Sequence, residues 1–181
     1  MELTLILGPM KSGKSFDLIS YFAPLRYTKK RFALFQSERN VRDNQIESRN
    51  GALLDANKVG SFAEIIDAGY EIIGIDEIHM FRPEEAENIK KILQKGTQVV
   101  VAGLDLDYRG EMFLIIKKLL EIGPLRVVYR RAVCENCHEH NAVYTQVYNN
   151  GAPITEGMPP VIPDDGTFTY SPLCRSCFKA N

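Results

Sequence analysis

Over its first 130 positions the chain alternates two arrangements of apolar residues: short unbroken runs, and stretches in which they return every three or four positions. The runs at 2–7, 31–36, 70–76, 97–103 and 126–134 are rich in β-branched or aromatic residues and predict strands. Between them, Phe16, Leu18, Ile19 and Phe22 predict a first helix that begins in the preceding loop and ends at Pro24. Pro83-Glu84-Glu85 opens a second, with proline in the first turn and acids at the positive end of the dipole, and Gly96 closes it. Phe113, Ile116, Lys117 and Leu120 predict a third from about Glu111 to Glu121, before Gly123-Pro124. This alternation is the pattern of a parallel sheet covered by helices. The polar stretch from Ser37 to Asn57, rich in Arg and Asn, reads as a mobile segment with one short helix or as a plain solvated loop.

The pattern breaks near Ala132. Helical spacing disappears, and short strands with turns such as Asn149-Asn150-Gly151 and Pro163-Asp164-Asp165-Gly166 take over. All four cysteines of the chain fall in this part. The expected organisation is an α/β domain over 1–131 followed by a smaller domain over 132–181.

Composition narrows the class of partner. The 181 residues, 45% apolar and 25% charged, suit one ordinary core with a small appendage. The net charge of −1 gives no basic field, and the clusters Lys29-Lys30-Arg31 and 126–131 are too short for a nucleic-acid track, so a small-molecule substrate is expected. No apolar stretch reaches the roughly 20 residues of a membrane span. Met1-Glu2 runs directly into the first strand and leaves no room for a leader, so no membrane partner and a cytosolic location are expected.

The sharpest chemical signal is Gly8-Pro9-Met10-Lys11-Ser12-Gly13-Lys14-Ser15, which fits GxxxxGK[ST] and directly follows a buried strand. Glycines let the backbone close around phosphate, and successive N–H groups at a helix N-terminus point at the anion. Lys14 brings positive charge to the outer phosphates and the Ser15 hydroxyl is a Mg²⁺ ligand. A nucleoside triphosphate with Mg²⁺ is the expected cofactor.

The run 70–76 ends in Asp76-Glu77, at the carboxyl end of a strand, where parallel sheets present ligands. Asp76 is expected to hold Mg²⁺ directly or through water, and Glu77 to act as general base toward an attacking hydroxyl or water. Asp76-Glu77-Ile78-His79 also spells the DExH box of helicases, which need two such cores and further motifs that 181 residues do not accommodate. His79 reads first as a hydrogen-bonded structural residue and second as a catalytic one.

Cys134-x-x-Cys137 and Cys174-x-x-Cys177 supply the four thiolates of a tetrahedral structural zinc, with His138 and His140 as alternative ligands. A disulfide reading lacks any sign of secretion, and a redox CxxC does not explain two pairs. The fold class is therefore α/β: a P-loop parallel sheet flanked by helices (RecA-like), with a small C-terminal zinc-binding domain.

Together with these motifs, Leu104-Asp105-Leu106-Asp107-Tyr108-Arg109-Gly110-Glu111-Met112-Phe113 and Tyr170-Ser171-Pro172-Leu173-Cys174-Arg175 make nearly the whole chain resemble the thymidine kinases of the cytosolic, zinc-containing type. The resemblance implies transfer of the ATP γ-phosphate to the 5′-hydroxyl of thymidine or deoxyuridine, and a homotetramer. It implies Glu77 as base, Lys14, Ser15 and Asp76 at the phosphate and metal site, and Arg42 in the segment after the second strand. For the nucleoside it implies Met80, Leu104, Tyr108, Thr145, Val161, Ile162 and Tyr170, under a lasso loop around 161–170.

Several positions depart from the family pattern. Ile78-His79-Met80 replaces a small residue, glutamine and an aromatic, and Pro163-Asp164-Asp165-Gly166 lengthens the lasso and removes an N–H. Asn40 stands where an aspartate aligns, and Val147 where many members have arginine. A kinase for a different nucleoside, or a nucleotide-dependent regulatory ATPase module, is the alternative reading.

Overall fold

The apolar runs become strands wherever a neighbour flanks them. The computed structural model describes residues 2–40, 45–47, 53–162 and 166–179. In chain order its elements are β1 (Leu3–Leu7), α1 (Lys14–Phe22), β2 (Phe32–Ser37), β3 (Gln45–Glu47), β4 (Leu53–Asp55), β5 (Asn57–Val59), β6 (Ile72–Ile75), α2 (Glu85–Gln94), β7 (Gln98–Gly103), α3 (Leu114–Glu121), β8 (Arg126–Tyr129), β9 (Tyr144–Asn149), β10 (Ala152–Pro153) and β11 (Phe168–Leu173). Six strands in the order β5-β2-β6-β7-β1-β8 form a sheet in which each neighbouring pair is parallel.

Both faces of that sheet are covered, which is why its strands carry unbroken apolar runs. Leu3, Leu5, Leu7, Ile73, Ile75, Val99 and Val101 pack with Ile89 and Ile92 of α2 and Ile116 and Leu119 of α3. On the opposite face Ile6, Leu34, Val100 and Ala102 meet Leu18, Ile19 and Phe22 of α1. Each fully buried side chain of this kind contributes about 1.5–3 kcal/mol relative to exposure.

Four boundaries differ from the sequence expectation. The last strand of the sheet stops at Tyr129, not 134, because its partner β1 ends at Leu7, whose carbonyl accepts from Arg130 N–H at 2.7 Å. Helix α3 starts at Leu114, not Glu111: Phe113 N–H donates to Asp105 O at 3.0 Å, and Leu106 bridges Met112, so the residues before it belong to a tight hairpin. Pro24 does end α1, but the chain continues as a 3-10 turn over Ala23–Tyr27, whose first turn accepts proline. The polar stretch 37–57 holds no helix among the described residues. Instead β3 and β4 pair antiparallel, burying Ile46 and Leu54 against α1, and β5 adds an edge strand beside β2.

Residues 132–179 form a different kind of layer. Strands β10, β9 and β11 make an antiparallel sheet, and Tyr144 stacks on Phe178 with ring centroids 4.3 Å apart. Among the described residues no helix is long and apolar enough to cross a membrane.

Candidate active site

Because β1, β7 and β6 are adjacent and parallel, the residues that follow them meet at one edge of the sheet. After β1 comes the glycine-rich loop. Gly8 has φ +147° and a Cβ there would lie 2.4 Å from the Arg130 carbonyl oxygen, so only glycine lets the loop leave the sheet. Gly13, also at positive φ, caps α1. The Lys14 ammonium is buried and donates to Pro9 O at 2.7 Å, and Ser12 Oγ donates to the same carbonyl at 2.8 Å. The expected phosphate-loop residues 8–15 thus form a loop that leads into the first residues of α1, with the Lys14 side chain folded back onto Pro9.

Ser15 Oγ donates to Asp76 Oδ1 at 3.3 Å, which brings the hydroxyl and carboxylate expected at the Mg²⁺ site together. Burial, with Glu77 alongside, raises the Asp76 carboxyl to about 7. A cation arriving there would restore the charged form, so these residues fit Mg²⁺ chemically.

Glu77 sits in the left-handed region at φ 51° and opens a 3-10 turn over Ile78–Met80. For a residue with a Cβ this conformation costs on the order of 1–3 kcal/mol and is typical of functional sites. Gly103, at the end of β7, makes room for that turn: a Cβ there would meet Ile78 Cγ2 at 2.7 Å and the Ile78 nitrogen at 3.0 Å. His79 is buried, and its Nδ1 accepts from Leu104 N–H at 3.3 Å. Its Nδ1 also lies 3.4 Å from Glu77 Oε2. Burial pulls the imidazole down to about 4, so the ring is neutral and the contact with Glu77 is not an ion pair.

Glu77 lines a cavity of about 50 Å³ together with Met80, Leu104, Tyr108, Thr145, Ile162 and Tyr170, six of the seven residues expected around a nucleoside. Val161 is absent from this wall and packs against the main core. The cavity also takes in Met10 from the phosphate loop and Asn40, His79, Leu106, Asp107, Phe113, Val147 and Pro160. Of these, Asn40 and Val147 are visible in the sequence only as departures from a pattern, and His79 both as a departure and as a structural or catalytic candidate. Phe113 reads as a helix residue, and Leu106 and Phe113 otherwise enter only as part of the 104–113 motif, with no role at the cavity assigned to either. The roof is fastened by Tyr108, whose hydroxyl donates to Met158 O at 2.7 Å and accepts from Met158 N–H at 3.2 Å. Arg42 and the segment 163–165 lie outside the described residues.

The four cysteine sulfurs lie within 4.8 Å of one another, with Cys137 and Cys174 at 3.8 Å. Tetrahedral coordination at a Zn–S distance of about 2.3 Å sets sulfur–sulfur edges of about 3.8 Å, so the group could hold zinc. Burial would raise the Cys134 thiol, but the backbone N–H groups of Cys137, Cys174 and Asn136 aimed at it bring it down to about 6. The alternative ligands His138 and His140 are not in this cluster, and His140 Nε2 instead meets Arg131 O at 3.2 Å. The cysteine knuckle touches the phosphate loop through an ion pair between Lys11 and Glu135.

Comparison with known proteins places the chain in one family. The sequence model of the family described as thymidine kinase matches residues 1–178. A thymidine kinase of Chloroflexus aurantiacus is 30% identical over 98% of this chain and 94% of its own length. One of Thermococcus kodakarensis is 31% identical over 96% of this chain and 91% of its own.

Proposed function

The chain belongs to the thymidine kinase family and is a kinase that uses ATP, and we propose that it phosphorylates the 5′-hydroxyl of thymidine with Glu77 as the general base. The observation that carries this reading is Glu77 on the wall of a mostly apolar cavity, one residue from Asp76, which contacts Ser15 of the phosphate loop.

Glu77 Oε takes the proton of the 5′-hydroxyl as its oxygen forms a bond to the γ-phosphorus; the bond from that phosphorus to the bridging oxygen of ADP breaks, and ADP leaves with the electron pair. Lys14, released from Pro9 O, follows the charge on the transferring group. Ser15 and Asp76 would hold Mg²⁺, which supplies charge neutralisation on the phosphates. The dry walls formed by Met80, Leu104 and Tyr108 exclude water, so that the nucleoside hydroxyl rather than water meets the phosphorus. Tyr170 and Ile162 cover the base, and Arg42 adds positive charge from the segment after β2.

The same reading includes a zinc held by Cys134, Cys137, Cys174 and Cys177, a unit boundary near residue 131, a cytosolic location and a homotetramer, the last testable by light scattering after size exclusion. The regulatory ATPase alternative is not favoured, because a fixed carboxylate beside an apolar cavity suits an organic acceptor better than slow hydrolysis. A panel of deoxy- and ribonucleosides with γ-labelled Mg²⁺·ATP tests the substrate: thymidine should give the highest kcat/KM, with deoxyuridine next. A purine or cytidine acceptor ahead of thymidine would overturn the assignment.

A further inference from the structure

Asp105 carries no role in the reaction described above, yet its surroundings set it apart from the other acids at this edge of the sheet. It follows β7, the strand that lies between β1, which leads into the phosphate loop, and β6, which leads into Asp76. Its Oδ1 is fully shielded, and among the described residues it is the buried side-chain polar atom with no hydrogen-bond partner. Its main chain is fixed, with the carbonyl accepting from Phe113 N–H at 3.0 Å. Both the Asp105 and the Asp76 carboxyl feel the positive charge of Lys14, the first residue of α1.

A buried carboxylate oxygen without a donor is costly, and a bound water or ion that satisfies it is one of the few reasons to keep it. Lys14 does not do so here: its ammonium donates to Pro9 O at 2.7 Å, and Asp105 Oδ1 has no hydrogen-bond partner. The donors that reach this edge of the sheet during the reaction are those brought with the nucleotide. Mg²⁺ keeps several of its waters when bound by one or two protein ligands, and those waters are strong donors.

We infer that Asp105 is a positioning residue of the magnesium site, its Oδ1 accepting a hydrogen bond from a water carried by the metal that Ser15 and Asp76 would hold. This rests on the magnesium reading of Ser15 and Asp76. Asp105 then fixes the hydrated metal relative to Lys14 without touching the reacting atoms. The device trades stability of the empty protein for order in the loaded one.

The test is Mg²⁺-dependent thermal stabilisation of the whole chain, saturated with a non-hydrolysable ATP analogue, compared between wild type, Asp105→Asn and Asp105→Ala. Wild type should gain melting temperature on adding Mg²⁺. Both variants should melt no lower than wild type without ligand, respond normally to the metal-free analogue, and need 10–100 times more Mg²⁺ for half the gain, the usual range for lost outer-shell partners. If wild type gains nothing from Mg²⁺, the magnesium reading falls and Asp105 with it. If wild type gains and both variants reach half-effect within twofold of its Mg²⁺ concentration, the Asp105 assignment alone is overturned. The same holds if both variants simply melt lower with an unchanged Mg²⁺ requirement, the signature of a merely structural residue.

Discussion

The backbone N–H of Met10, in the phosphate loop, donates to Thr145 Oγ1 of β9 at 3.0 Å. Both residues line the same cavity, so one hydrogen bond joins the loop that would grip the triphosphate to the strand that would flank the nucleoside. Thr145→Val keeps the shape and removes the acceptor, leaving a part-buried donor unpaired at about 1–3 kcal/mol. KM should rise several-fold for both ATP and thymidine, and Thr145→Ser should restore both. A change confined to thymidine would limit Thr145 to the nucleoside side.

Tyr108 holds the roof of the cavity through two bonds to the backbone of Met158. Tyr108→Phe leaves that N–H and carbonyl without their partner and loosens the roof. The thymidine KM should rise by about tenfold while the ATP KM stays within twofold, read from steady-state kinetics with each substrate varied. Equal effects on both substrates would contradict this division.

The Asp76 carboxyl, raised by burial and by Glu77, gives a pH dependence of defined sign. A carboxyl whose folded value lies above its unfolded one stabilises the protein below pH 4 relative to neutral pH, and this is lost as pH rises toward about 7. Asp76→Asn should therefore melt higher than wild type without ligands above pH 7, with the gap closing as pH falls from 7 toward 4. In wild type, Mg²⁺ binding should weaken over the same descent, because the metal competes with a proton. A gap that widens toward acid would reverse the assignment.

Much of this was legible in the sequence for physical reasons. Strands buried on both faces must be apolar throughout, so Leu3–Leu7 and Gln98–Gly103 announced themselves, and a loop that surrounds phosphate needs Gly8, Gly13 and Lys14 at fixed spacing. The pairs Cys134-Cys137 and Cys174-Cys177 gave their cluster through spacing alone. The β3–β4 pair stayed hidden because it buries Ile46 and Leu54 against α1 within a stretch otherwise rich in charge. Asp107 and Phe113 reach the cavity through a hairpin between β7 and α3, a tertiary arrangement with no periodic signature. Val161 and Ile162 show the limit of a segment-level reading, since adjacent side chains point to the core and to the cavity respectively.

Zinc analysis of protein purified without chelator should give about one metal per chain, and Cys174→Ser should abolish it. Since Glu135 of the first knuckle pairs with Lys11, stripping the metal should also weaken ATP binding. Full nucleotide affinity in zinc-free protein would separate the two sites, and absence of zinc in the wild type would remove the structural metal from the account.

The central claim is that Glu77 accepts the 5′-hydroxyl proton of thymidine. Single-turnover transfer from labelled Mg²⁺·ATP, with enzyme in excess, compares wild type with Glu77→Gln after equilibrium binding has established that both hold the two substrates. The account predicts binding within a few-fold of wild type and a transfer rate lower by about 10²–10⁴. A transfer rate within a few-fold of wild type, with thymidine bound, would contradict it.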